Sequence, residues 1–132
     1  MRDKPDAAQL LDSVEAFLTG EVVAQLKGRR RFHALVAANA VRIVARELRL
    51  SSGQDAEELL ALWQLLGRDG DPPPIADSQS LLHELNTELC VRIDRGDADS
   101  GDFRVRVAGY LARSVEAKLK VDNPKALGSE PV

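Results

Sequence analysis

The sequence predicts an all-α fold, a five- or six-helix bundle with a central, mostly buried second helix. Three observations carry that expectation. Residues 29–50, RRRFHALVAANAVRIVARELRL, hold no Gly or Pro and consist of helix-compatible residues. Of the 132 residues 44% are hydrophobic but only 4% aromatic, so Leu, Val and Ala supply the apolar mass and favour helix packing over a sheet. Apolar residues also recur at helical spacing in four further stretches. Residues 1–124 read as a single helical domain and residues 125–132 as a flexible C-terminal tail.

Asp3-Lys4-Pro5-Asp6 is a helix start, with an Asp cap, Pro near the first helical position and acid in the first turn. Leu10, Leu11, Val14, Phe17 and Leu18 then form an apolar face. Thr19-Gly20 interrupts it, as a kink or a true break, before Val22, Val23 and Leu26. Gly28 ends the segment as a left-handed residue, and the short connection makes the first two helices antiparallel neighbours.

On the second helix Phe32, Leu35, Val36, Asn39, Ile43 and Leu50 share one face. Alanines with Val41, Val44 and Leu48 fill much of the rest, so neighbouring helices are expected around it. Ser51-Ser52-Gly53 is expected to stop this helix and cap a third, with Ser52 and Asp55 resembling a capping box. The third carries Leu59, Leu60, Leu62, Trp63, Leu65 and Leu66. Residues 67–74, with two glycines and three prolines, form an extended, exposed connection.

Asp77 or Ser78 caps a fourth helix whose stripe is Leu81, Leu82, Leu85, Leu89 and Ile93, and Gly96 closes it. Asp102 is the expected cap of the last helix, with Phe103, Val107, Tyr110, Leu111, Val115 and Leu119 on one side and Asn123-Pro124 at its end.

Charge and cysteine content narrow the function. Eighteen basic against 21 acidic residues give −3, without the basic surplus of a nucleic-acid binder. The lone Cys90 forms no internal disulfide, and the amino terminus lacks the apolar run of a signal peptide. No stretch approaches the ~18 apolar residues of a membrane span. A cytoplasmic protein without nucleic-acid or membrane partners is expected.

His33, His83 and Cys90 share no metal-ligand spacing, so neither metal nor cofactor is expected. Residues 97–102 resemble a calcium loop, but Ala108 stands where a bidentate Glu belongs. Cys90 reads as a small packed residue rather than a reactive thiolate.

Asn39 is a polar group at the middle of an apolar face, and either satisfies backbone or lines a pocket with Arg46. Arg42, Arg46 and Arg49 form a stripe, either salt-bridged to neighbouring acids or shaped for an anion. Arg29-Arg30-Arg31 are placed to hold the preceding helix's terminal carbonyls. The candidate ligand-binding residues are therefore His33, Asn39, Arg42 and Arg46. The wide apolar face of the third helix makes Leu59, Leu62, Trp63 and Leu66 candidate interface residues and suggests a two-fold homodimer.

The segments MRDKPDAAQLLDSVEAFL, GRRRFHALVAANAVRIVARELRL, LNTELCVRI and KLKVDNP resemble a bacterial family of small all-helical proteins of unknown function. Its signature corresponds to Arg31, Phe32, His33, Asn39 and Arg46, with Asp122-Asn123-Pro124. The resemblance implies genes near acyl-CoA dehydrogenases and aminoglycoside-phosphotransferase-like kinases, and no catalytic residue. The expectation is a non-catalytic accessory or protein-interaction protein linked to acyl-CoA catabolism, with such a dehydrogenase or kinase as candidate partner. The alternative is a binder of a phosphorylated or CoA-like anion on the arginine stripe. A third reading, an enzyme using His33 as base, requires an orienting group beside an open pocket.

Overall fold

The residue that caps the first helix is Asp6, the acid expected in its first turn, so the helix starts later than the motif suggests. In the computed structural model, which describes residues 4–74 and 77–128, its carboxylate accepts the Gln9 N–H at 2.9 Å. Gln9 Oε1 accepts the Asp6 N–H at 2.9 Å in return, a reciprocal capping box. Asp3 lies outside the described residues.

Helix α1 (Ala7–Phe17) leads into a π-helical turn (Leu18–Val22) and a short α2 (Val23–Gln25). Gly20 therefore neither breaks nor stops the first helix: the Val23 N–H reaches back to the Leu18 carbonyl, and the wider turn absorbs one residue. Gly28, at φ +58°, makes the reversal.

Helix α3 runs as Gly28–Leu65, 38 residues long. The expected stop at Ser51-Ser52-Gly53 is not made. Ser and Gly only weaken a helix, by up to ~1 kcal/mol, and no Pro is present to break it. Asp55, expected in a capping box, instead accepts from Gln79 Nε2 at 2.6 Å. Gly67, at φ +79°, ends α3: its N–H bonds the Gln64 carbonyl and the Arg68 N–H bonds the Trp63 carbonyl, the paired bonds of a Schellman motif.

Asp77 caps α4 (Ser78–Asp94), and Gly96 closes it at φ +92°. Helix α5 (Gly101–Asp122) starts from Ser100, so Asp102 lies inside the first turn and is not the cap. Pro124–Leu127 forms a 3-10 turn, and residues 129–132 lie outside the described part.

The described residues are thus all-helical, with no strand. Four long helices replace the expected five or six, because two apolar stretches share α3. Two compact units make up the chain, Met1–Ser51 and Ser52–Val132.

In the first unit α1 and α3 are antiparallel, as Glu15 pairs with Arg42 and the earlier Asp12 with the later Arg49. The seam buries small residues, Ala8, Val23, Ala38 and Ala45. The expectation of a mostly buried second helix fails here. Phe32 is 63% exposed, Val36 50% and Leu48 50%, because only the alanine side of α3 meets α1.

The second unit has the larger core. Leu62 and Leu85 are fully enclosed with Leu59, Leu65, Leu66, Leu82, Leu89, Val107 and Tyr110. On α5 the inward stripe is Phe103, Val107, Tyr110, Ser114, Ala117 and Val121, none of which is exposed, while Leu111 and Val115 point outward. Cys90 is exposed rather than packed, one position beyond Leu89 on α4 and so a hundred degrees off the buried stripe.

Candidate functional site

The arginine stripe resolves mainly into hairpin stitching. Arg42 bonds Glu15, Arg49 bonds Asp12, and Arg31 Nη1 donates to the Val23 carbonyl at 2.9 Å. Glu15 and Asp12 sit on α1 facing the stripe, so the i+3 and i+4 arginine repulsion is relieved by acids across the seam. Arg46 is the exception. It makes no ion pair, and its Nε is buried without a partner among the described residues.

His33 is exposed and accepts from Arg29 Nε at 3.2 Å, with the Phe32 ring edge-on at 5.8 Å. Among the described residues no carboxylate or backbone carbonyl bonds it, the orienting group that a base at this position would require. Asn39 is also exposed, not buried as its place on an apolar face suggested. Asn39 and Arg46 share a stripe of α3, two turns apart; His33 lies on another.

Leu59, Leu62 and Leu66 are spent in the core of their own unit. Trp63 packs against that core, its Nε1 donating to the Asp69 carbonyl at 3.3 Å and its ring under the Arg68 guanidinium at 4.9 Å.

A polar network not anticipated from the sequence lies in the second unit. The buried Tyr110 hydroxyl sits 3.0 Å from Glu58 Oε1 and 3.3 Å from Asn86 Oδ1. Burial, with the Glu58 carboxylate beside it, pushes the phenol well above its ordinary value of 10.0. Asn86 Nδ2 donates to the Leu82 carbonyl at 2.9 Å, and Gln54 Nε2 to the Ala117 carbonyl at 3.0 Å. The signal was present: Glu58 precedes Leu62 by one turn and Asn86 follows Leu82 by one turn, both on buried stripes.

Beside this network is a cleft of about 100 Å³ between α3 and α5, lined by Glu57, Glu58, Tyr110, Arg113 and Ser114 among others. Two shallower grooves, one along Gln64, Arg106 and Arg113 and one along Phe17 and Leu26, measure about 260 and 270 Å³. All three fall below the ~300–1,000 Å³ of small-molecule sites. None is lined by His33, Asn39, Arg42 or Arg46. Among the described residues no three His, Cys, Asp or Glu side chains form a metal-binding group.

The sequence matches the model of a family described as a domain of unknown function (DUF6285) over residues 24–126. The chain belongs to this family. The DUF6285 match takes in α3, α4 and α5 whole and begins beyond α1. No curated protein matches the chain, and no solved structure does. For this DUF6285 protein no helix among the described residues is long and apolar enough to cross a membrane.

Proposed function

We propose that this chain is a non-catalytic protein-interaction module that works in the cytoplasm, and that its docking surface is the outward face of the first unit. One observation carries the reading. The hairpin buries only Ala8, Val23, Ala38 and Ala45, yet leaves Phe32, Leu35, Val36, Leu10, Val14 and Phe17 between 44% and 63% exposed. Leu10, Val14 and Phe17 follow one another at helical spacing on α1, as Phe32, Leu35 and Val36 do on α3, and grouped exposed apolar side chains mark interaction sites. The second unit supplies the contrast: its leucines are enclosed by their own neighbours, which suits a scaffold.

The family resemblance adds a candidate partner, an acyl-CoA dehydrogenase or a phosphotransferase-like kinase, and with it an accessory role in acyl-CoA catabolism. Photo-cross-linking tests the reading. With Phe32→p-benzoylphenylalanine in the full chain, irradiation in cells is expected to give discrete protein adducts. Finding no adduct, while the same probe at the enclosed Leu62 reports intramolecular capture, would overturn it.

A further inference from the structure

Two facing stripes of the second unit form the cleft between α3 and α5. From α3 come Gln54, Glu57, Glu58 and Ala61, and from α5 come Tyr110, Arg113, Ser114 and Ala117. Each set has the spacing i, i+3, i+4, i+7, which a packed helix seam fills with apolar side chains. Here each stripe ends in an alanine and otherwise carries hydrogen-bonding or charged groups. The alanines leave the gap open, and the polar groups line it.

Some of those groups are already engaged. Gln54 Nε2 donates to the Ala117 carbonyl at 3.0 Å, and the Tyr110 hydroxyl, 3.0 Å from Glu58 Oε1, takes up one carboxylate oxygen. Others are not. Among the described residues Glu57, Arg113 and the Ser114 hydroxyl have no hydrogen-bond or ion-pair partner, and neither has Glu58 Oε2. Glu57 and Arg113 are opposite in sign and line one cleft of about 100 Å³, yet they make no ion pair with each other.

Arg113 also lines the groove of about 260 Å³, which shares Ala61 and Tyr110 with the cleft. That groove adds Gln64, Arg106 and Gly109 and has no acid in its lining. A Cβ at Gly109 would lie 3.5 Å from Arg113 Nη1, so the guanidinium rests against bare backbone. Arg106 is partly engaged, donating to the Gln64 carbonyl at 3.0 Å and standing 4.0 Å from Asp102. Arg113 thus stands between an acidic cleft and a cationic groove.

We propose that the second unit binds a small zwitterion here, its ammonium in the cleft against Glu57 and Glu58 and its carboxylate on Arg113 towards the groove. Charge selects this class. A lone cation in the cleft is opposed by Arg113, and a lone anion on Arg113 is opposed by two glutamates. A ligand with both charges suits both walls, and the guanidinium fork matches a carboxylate. Size narrows it further. A cavity of about 150 Å³ admits the six heavy atoms of benzene, so a cleft of about 100 Å³ suits an ammonium with one or two carbons. Short ω-amino acids have this form. The site belongs to the second unit alone and is separate from the docking face proposed for the first.

Amide chemical shifts of the nitrogen-15-labelled full chain test the proposal. The zwitterionic probes are β-alanine and γ-aminobutyrate, and propylamine and propionate are the single-charge controls. Either zwitterion should give saturable shifts at residues 54–61 and 106–117, with a dissociation constant in the millimolar range, as about six heavy atoms allow. Either control should bind about tenfold more weakly, having lost one charged contact. Arg113→Gln should bring β-alanine down to the level of propylamine. Arg113→Glu should reverse the preference, so that the all-acidic cleft takes propylamine ahead of β-alanine, a gain that misfolding cannot produce. No saturable shift with either zwitterion would overturn the proposal, as would shifts confined to other residues. A zwitterion preference unchanged in Arg113→Gln would overturn it too. Each of these results leaves the cross-linking test of the first unit unaffected.

Discussion

The Tyr110 hydroxyl lies 3.0 Å from Glu58 Oε1, tying α5 to α3 across an otherwise apolar core. A phenol has one proton, and the carboxylate, the closer and charged acceptor, takes it. The contact therefore holds the helices in one rotational setting while Leu62 and Leu85 supply the burial. Tyr110→Phe should cost about 1–2 kcal/mol in denaturant unfolding, because Glu58 loses its donor.

The same pair makes an alkaline prediction. In the unfolded chain the phenol ionises near 10.0, whereas in the folded chain burial and Glu58 hold it protonated to higher pH. The unfolded state thus loses its proton first, so Tyr110's contribution is intact below pH 10.0 and declines as pH rises further. Tyr110 is the sole tyrosine, so ultraviolet phenolate titration reads it directly. Native protein should titrate at higher pH than protein in denaturant.

Acid sensitivity is expected from the turn between α4 and α5. The Arg95 hydrogen bond, helped by Arg92, holds the Asp97 carboxyl below its ordinary value of 3.8. Above that value the folded state keeps the full benefit, and it is lost as pH falls through the lowered folded-state value. Asp97→Asn should flatten the acid limb of a stability-against-pH curve measured by urea unfolding.

Leu62 is enclosed completely, and Leu62→Ala should destabilise the protein by about 2–5 kcal/mol. Gly96→Ala should cost about 1–2 kcal/mol for its left-handed backbone alone. Its new Cβ would also stand 3.0 Å from Asp99 Oδ2. Thermal melts of the two variants separate a core effect from a turn effect, since Leu62→Ala alone leaves a cavity.

Local signals in the sequence located much of the fold. Gly28, Gly67 and Gly96 sit at chain reversals with positive φ, and Asp6 and Asp77 cap their helices as their residue types suggest. Ser51-Ser52-Gly53 misled because its residues are weak breakers whose effect depends on the flanking helix. The burial of α3 could not be read from periodicity. An apolar stripe records that something covers it, not whether the cover belongs to the same chain, and alanines proved the better guide to the α1 seam. The arginine stripe was half legible: its spacing showed that acids were needed, but Glu15 and Asp12 become its partners only when the hairpin closes. Glu58 and Asn86 stand on leucine stripes in the sequence, but that they meet at one hydroxyl is shown only by the position of Tyr110.

The central claim is that the outward face of the first unit docks another protein. The most direct measurement is photo-cross-linking in cells from Val36→p-benzoylphenylalanine, on the exposed side of α3, beside the same probe at the enclosed Leu62. The account predicts discrete adducts to another polypeptide from position 36 and only intramolecular capture from position 62. No adduct from position 36 would contradict it.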